Sequence, residues 1–515
     1  MVKNFLLFFL TVLFVAGTAH GDDTNVYYSA LTAEPTSLDP KEIRNHPTGM
    51  IGNQIHEGLF SYDENMNIIP AVANTWKVSK DGKNINIQIR RGAKFHNGQE
   101  VNSFDVIYSI SRLVKTEGLN HYLYKELMNI DGAKEYKKGN SKAIKGIVLI
   151  DNYSLQINLL KSHPYFYKIL AAPNSAIIPA NFVERYPREI DNKPVGVGPF
   201  KIQEWSKCDK IVLVRHDEYY RSKPNIDKLV FYFMKPDKLI QAFEDGKIYD
   251  TASLSLFEDF DVKLPEEQTY QIKLPLVYFL AFNSKIKPFN NKCLRKALYF
   301  SLNKKMLMEK VFLNQLPATS TIPYGIGGYE LDNDDLKYSP TVAEEMLRCA
   351  KASGFNLKQK LILYGRETMP NKEMFKKVIE GDYRKVGLNV EVAFLSSDLF
   401  YKKFYNEELG FFYAGHNASV NDALFILGWY ESDHPSNLTG MSNKQFDLLM
   451  EMARSEKDEY VRSKIYSNAA KIINDEYLQI NLFNRVYKGY VNPKVKNFEI
   501  SEIGPYVRYN KIILE

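Results

Sequence analysis

The sequence predicts an α/β protein with mixed or parallel sheets, divided between at least two lobes that share several chain crossings. Three observations lead there. The chain has 515 residues, 45% hydrophobic and 25% charged; that is an ordinary globular balance, and a single core stops growing at roughly 250–300 residues. Two helix–strand units follow one another in the C-terminal half, the pattern of an α/β lobe. No low-complexity tract, fixed-period repeat or long linker separates the halves.

Taken in order, residues 1–21 combine Lys3, an apolar run of 12 residues from Phe5 to Ala16, and small residues Ala19 and Gly21 at −3 and −1 of a cleavage point. This is the pattern of a secretory signal, and the run falls short of the ~20 apolar residues that a spanning helix needs. No cysteine lies near that point to carry a lipid anchor. Cleavage near Gly21 and a mature chain exported without a membrane span, best suited to a bacterial periplasm, are expected. Ile85, Ile87 and Ile89 alternate with polar neighbours as in a half-buried strand. Asn102 or Ser103 caps a helix whose apolar face is Val106, Ile107, Ile110 and Leu113. Residues 147–160 read as a hairpin turning at Asp151-Asn152, with short strands at 199–205, 211–215 and 228–234.

A helical stretch from Cys293 to Leu302 opens the C-terminal half. Ala343, Met346, Leu347 and Ala350 then mark one helix face, Gly354 its stop, and a strand follows at 360–364. Phe375, Ile379, Tyr383 and Val386 repeat the plan, with Gly387 as stop before alternating Leu388, Val390, Val392 and Phe394.

Catalytic and cofactor motifs do not emerge. Gly325-Ile326-Gly327-Gly328 lacks the Lys-Ser/Thr of a phosphate loop, and Gly196-Val197-Gly198 lacks the third glycine of a dinucleotide fingerprint, so both read as turns or loops. His56-Glu57 has Phe60 where a zinc protease needs its second histidine. No G-x-S-x-G elbow is present, and Asp332 to Asp335 lack the glycine and terminal glutamate of a calcium loop. The net charge of +6 is spread along the chain, without the concentrated basic stripe of a nucleic-acid binder. Neither cofactor nor metal nor nucleic acid is therefore expected. Three cysteines, Cys208, Cys293 and Cys349, allow at most one disulfide and leave one thiol over. The aromatics are 34 Tyr and 31 Phe against 3 Trp, and tyrosines can line a small-ligand cavity with both apolar faces and hydroxyls.

Ordered short segments go further. Pro35 to Pro40 (PTSLDP), Glu57-Gly58-Leu59-Phe60, Ile69 to Ala73 with Trp76, Arg90 to Gly98, Asn102 to Val106, Pro164 to Lys168, Gly196 to Phe200, Phe282-Asn283 and Leu294 to Leu298 together resemble the peptide/nickel class of ABC-transporter solute-binding proteins, solute-binding family 5. The resemblance runs from about residue 26 to the end, and its wording is nearest to periplasmic oligopeptide-binding proteins. It implies a two-lobed periplasmic binding protein fold with an extra inserted domain: domain I from 22–47, 189–276 and 488–515, an inserted domain II at 48–188, and domain III at 277–487. A hinge near 272–282 and 478–488 would close the lobes over a ligand delivered to an inner-membrane ABC permease. A monomer with no enzymatic reaction is implied.

In that family a segment written roughly G-W-x-A-D-x-x-D/E-P borders the pocket; its strand pairs with a peptide backbone by β-augmentation, and its first Asp meets the ligand ammonium. Here the stretch is Gly415-His416-Asn417-Ala418-Ser419-Val420-Asn421-Asp422-Ala423. Tryptophan has become His416 and the amine-binding acid Ser419, while Asp422 keeps the second acidic position. Either Asp422 substitutes, or another acid does, or the ligand has no free amine there. Arg366 and Lys372 lie where dipeptide binders place an Arg for the ligand carboxylate, Lys372 matching more nearly. Tyr413 and His416 are pocket-wall candidates. Three readings follow: an oligopeptide-binding importer component; the same fold holding a metal chelate, sugar-derived oligomer or modified peptide; and an exported hydrolase, disfavoured because no nucleophile–base pair is readable.

Overall fold

The computed structural model describes residues 25–43, 45–116, 121–253, 265–330, 338–418, 420–434, 437–503 and 506–515. The signal segment, Ser419 and the acidic run at 332–335 lie outside the described residues. Three sheets of four or six strands organise the rest, beside two short two-stranded ones, and each of the three, with the elements packed on it, is called a body below, numbered in the order given.

The first sheet orders Val26–Leu31, Lys228–Phe233, Lys210–Arg215 and Phe200–Ser206, the first pair parallel and the others antiparallel. The second is wholly antiparallel: Ala73–Val78, Asn84–Ile89, Ser154–Asn158 and Ile147–Asp151. Its isoleucine alternation is as read, Ile85, Ile87 and Ile89 all being buried. The third sheet has six strands, ordered Leu316–Pro317, Gln479–Tyr490, Thr269–Phe282, Phe411–Asn417, Lys360–Arg366 and Asn389–Leu395. It is mixed: Lys360–Arg366 runs parallel to Asn389–Leu395, while Thr269–Phe282 is antiparallel to both its neighbours. The two helix–strand units thus form the parallel part of this sheet, their helices Pro340–Ala352 and Lys372–Lys385 ending before Gly354 and Gly387 at φ 90° and 80°, a conformation glycine adopts without penalty.

The recurring motifs have physical reasons. Asn102 caps helix Ser103–Lys115 and shares a capping box with Asp105; from its last turns Arg112 grips both oxygens of Asp39 in the PTSLDP segment. Glu57 accepts hydrogen bonds from the hydroxyls of Tyr219 and Tyr220, at 2.8 Å and 2.5 Å, fastening the second body to the first. Gly196 and Gly198 lie so close to the end of helix His46–Ile55 that a Cβ on either would run into the carbonyls of Ile55 and Gln54. Close packing, not phosphate binding, requires these glycines. Cys293 and Cys349 form a disulfide joining helices Lys292–Ser301 and Pro340–Ala352, and Cys208 is the exposed thiol.

The antiparallel strands Thr269–Phe282 and Gln479–Tyr490 are neighbours in the six-stranded sheet, and the second reaches Thr251 near its end. The Tyr487 hydroxyl donates to the Thr251 carbonyl at 2.9 Å, and the Tyr490 amide donates to Thr251 Oγ1 at 2.9 Å. Beside them Asp250 is fully buried and accepts from the Ala252 amide at 2.8 Å. Burial pushes its carboxyl up from the ordinary value to about 6. A carboxyl raised in the fold costs stability while it is charged, so the cost is full above pH 6 and is relieved as the pH falls towards the unfolded value near 4. The wild type should gain about 2 kcal/mol relative to Asp250→Asn between pH 7.5 and pH 4.5. Urea unfolding of both proteins at the two pH values measures this, and parallel changes would contradict a titrating Asp250.

Candidate functional site

Strand Phe411–Asn417 is paired along one whole edge, from Phe282 opposite Phe411 to Leu276 opposite Asn417. Its other edge meets Lys360–Arg366 only where Tyr364 faces Phe412. From residue 413 onwards no described strand covers that edge, and Gly415 and Asn417 are exposed. An open edge of this kind leaves backbone donors and acceptors for an added strand.

The candidate residues divide around it. Tyr413 is buried, stacked on Tyr278 at 5.4 Å and packed edge-on against Phe375, so it is core on the inner face of the strand. Burial pushes its hydroxyl well above the usual range, and the charges of Arg366 and Arg485 act against that shift. Asn417 makes no hydrogen bond through its side chain with a described residue. Arg366 lies two residues beyond the last position its strand shares with the edge strand, so it flanks the mouth where the two diverge; its Nη1 donates to the Tyr401 hydroxyl at 2.9 Å. Lys372 is not brought to this mouth by any contact: it opens helix Lys372–Lys385, which packs on Asn389–Leu395, and makes no hydrogen bond or ion pair with a described residue.

His416 turns inward. Its ring packs on Phe279 at 4.7 Å and Trp429 at 5.6 Å, and Nε2 lies 3.1 Å from the Tyr430 hydroxyl. That hydroxyl donates its proton to Gln479 Oε1, so the imidazole must be the donor to Tyr430, fixing the Nε2–H tautomer. Gln479 in turn donates to Thr321 Oγ1 at 3.0 Å and to Asn481. Burial depresses the His416 pKa to about 3, and the residue is neutral at physiological pH.

Asp422 is engaged within the protein. Its carboxylate accepts from the Arg462 guanidinium and, at 2.8 Å, from the Tyr466 hydroxyl, caps the Leu424 amide at 3.1 Å, and has Lys168 Nζ at 3.9 Å. Burial would raise its pKa, but Arg462 first and then Lys168 outweigh that and hold it below the usual carboxylate range. Arg462 and Lys168 were not legible as site residues. Lys168 falls within a motif of the sequence, yet its partner Asn421 is 253 positions away.

A cavity of about 390 Å3 opens along residues 271–273, between Asp63, Lys273, Tyr324, Glu502 and Arg508, and no residue of the edge strand lines it. No helix among the described residues is long and apolar enough to cross a membrane.

Residues 67–437 match the bacterial extracellular solute-binding proteins, family 5 (middle region), and the chain belongs to that family. It is 27% identical to the dipeptide-binding protein DppE of Bacillus subtilis over 495 residues, 90% of this chain and 88% of that one. It is 25% identical to heme-binding protein A of Haemophilus influenzae over 477 residues, 88% and 85% of the two chains. The fold is that of the crystal structure of Haemophilus influenzae OppA in complex with RPPGFSPFR, with a TM-score of 0.79 at 22% identity, covering 96% of this chain and 99% of that one.

Removing one member of a buried ion pair typically costs ~3–5 kcal/mol because the other charge remains. Asp422→Asn should destabilise the protein by that order in guanidinium unfolding, and adding Arg462→Met should recover a large part of the loss. An Asp422→Asn variant as stable as wild type would show that the pair is not formed.

Proposed function

We propose that this protein is the substrate-binding component of an ABC importer, capturing oligopeptides in a cleft between lobes and delivering them to an inner-membrane permease without catalysing a reaction. The observation that carries this reading is the open edge at residues 413–417, flanked by Arg366. It offers main-chain pairing that is indifferent to ligand side chains, with a guanidinium suited to a carboxylate. Membership of an extracellular solute-binding family supports it, as do relatives named for dipeptide and oligopeptide binding.

The domain division follows from the same reading: 22–47, 189–276 and 488–515 as one domain, 48–188 inserted, and 277–487 as the closing lobe. Residues 272–282 and 478–488 act as the hinge, and the pairing of Thr269–Phe282 with Gln479–Tyr490 across that span supports this assignment. The mature protein is a periplasmic monomer cleaved near Gly21. N-terminal sequencing of a periplasmic fraction should begin at or close to Asp22; an intact Met1, or recovery only with membranes, would overturn the assignment.

A non-peptide or modified ligand is the second reading. Serine stands at the family's amine-binding position, Asp422 is committed to Arg462, and one relative is named for heme. Mass spectrometry of the small molecules released on denaturing purified protein separates the two readings. For a peptide ligand, with no acid free at this segment, wild-type protein should bind free-amine and N-acetylated forms of one peptide within about threefold, while Ser419→Asp should favour the free amine at least tenfold, since ~1.4 kcal/mol is a factor of ten. Calorimetric titration reads both. A strong wild-type preference for the free amine would place its counter-ion elsewhere in the cleft.

A further inference from the structure

The open strand runs directly into a segment that the inserted body holds. After Asn417, Ala418 donates its amide to the Pro275 carbonyl at 3.0 Å and Val420 is fully buried. Every hydrogen-bonding group named next on Asn421 is met from the body carrying the second sheet: its amide donates to the Tyr62 hydroxyl at 3.2 Å, its side-chain Nδ2 to the Met66 carbonyl at 3.1 Å, and its carbonyl accepts from Lys168 Nζ at 3.5 Å. Lys168 also lies 3.2 Å from Glu459 and 3.9 Å from Asp422. The Tyr165 ring carries the Arg462 guanidinium at 4.5 Å. The arginine that neutralises Asp422 therefore packs on the opposite body.

A second set of contacts repeats this arrangement farther along the seam. Helix His121–Leu127 places Lys125 on Glu431 and Asp433, at 2.9 and 3.0 Å, while its next residue, Glu126, meets Arg454 at 3.2 Å. Arg454 returns to Glu431. Charges from the two bodies alternate, so neither row is complete without the other. Glu126 and Glu431 are both buried, where such pairs are screened far less than at a surface. By contrast Lys161 and Glu451, also across the seam at 2.8 Å, are both largely exposed and worth little.

We propose that Lys168, with Tyr62 and Met66, is a positioning residue for the ligand strand: the inserted body clasps Asn421–Asp422, so that lobe closure and the fixed end of the 413–417 edge are one event. This rests on the reading that the lobes move about the long strands. Separation would release the groups of Asn421 and the ammonium of Lys168 to water, part the apolar core that Ala418, Val420 and Leu424 share with Phe60, Tyr62 and Leu170, and leave the ligand strand anchored only at its paired edge. Closure, favoured by residues that touch no ligand, then adds to ligand affinity by raising the population of the binding-competent state.

Spin labels on Lys142→Cys and Lys358→Cys, exposed positions on the two bodies, in a Cys208→Ser background, report the separation by pulsed electron resonance. Measured on protein freed of ligand by unfolding and refolding, the wild type should show a short-distance population. Lys168→Met and Asn421→Ala should each lower its ratio to the long-distance population at least tenfold, and Lys161→Met should leave it unchanged. Superimposable wild-type and Lys168→Met distributions would overturn the clasp, and so would a wild type with no short-distance population. Binding of penta-alanine, measured separately by calorimetry, bears on the peptide reading: a shifted distribution in protein that binds no peptide keeps the clasp and discards the peptide.

Discussion

The architecture depends on one pairing, that of Thr269–Phe282 with Gln479–Tyr490. From Thr269 opposite Tyr490 to Ala281 opposite Gln479, with two irregularities on the way, the two strands form a single antiparallel ribbon. At one end Tyr487 and Tyr490 are bonded to Thr251 in the first body. At the other, Phe282 and its neighbours lie among the buried residues of the six-stranded sheet. A two-stranded ribbon holds its two attachments in register while bending more readily than a wide sheet. It also leaves the outer edge of Thr269–Phe282 free to pair with Phe411–Asn417. Strand Phe411–Asn417, the proposed ligand strand, is thus one hydrogen-bond ladder away from the ribbon proposed as the hinge.

That closeness explains how polar groups are spent near the site. His416, Tyr430, Gln479 and Asn481 form a buried chain from the ligand strand to the ribbon strand. The chain is uncharged, which avoids the desolvation cost of an ion beneath the cleft. Asp422 is charged, but Arg462, Tyr466 and the Leu424 amide satisfy it. A carboxylate so fully partnered has little left to offer a ligand ammonium. In the function proposed above, that commitment leaves backbone pairing, not charge recognition, as what this segment offers a ligand.

Much of the fold was legible because local rules fix it. The capping box at Asn102 and Asp105, the stops at Gly354 and Gly387, the isoleucine alternation at 85–89 and the hairpin over 147–158 each need only neighbouring residues to be read. The parallel pairing of Lys360–Arg366 with Asn389–Leu395 followed from two helix–strand units in series. The edge strand was identified by its place in a resemblance, and its openness depends on where Lys360–Arg366 diverges, which no local pattern encodes. Asp422 looks in sequence like an acid facing a ligand; its partner Arg462 lies on a helix 40 residues on. Three cysteines left the disulfide pairing open, and the packing of two helices decided for Cys293 and Cys349. Tyr413 shows the opposite limit, since an aromatic on a pocket strand can as well point into the core.

A site built on an open edge has a weakness that the remaining structure offsets. Backbone hydrogen bonds exchanged with water contribute only about 1 kcal/mol each, so a few added pairs cannot by themselves hold a flexible ligand against its ordering entropy. The cleft must be made dry and its strand held still before those bonds gain strength. In the proposed closure, the interleaved charges on Lys125, Glu126, Glu431 and Arg454, and the contact of Lys168 with Asn421, serve that requirement through contacts made within the protein. Groups that act through closure in this way would raise affinity uniformly across ligands. In the function proposed above, discrimination falls to the few groups at the mouth, among them Arg366, which the Tyr401 hydroxyl already engages.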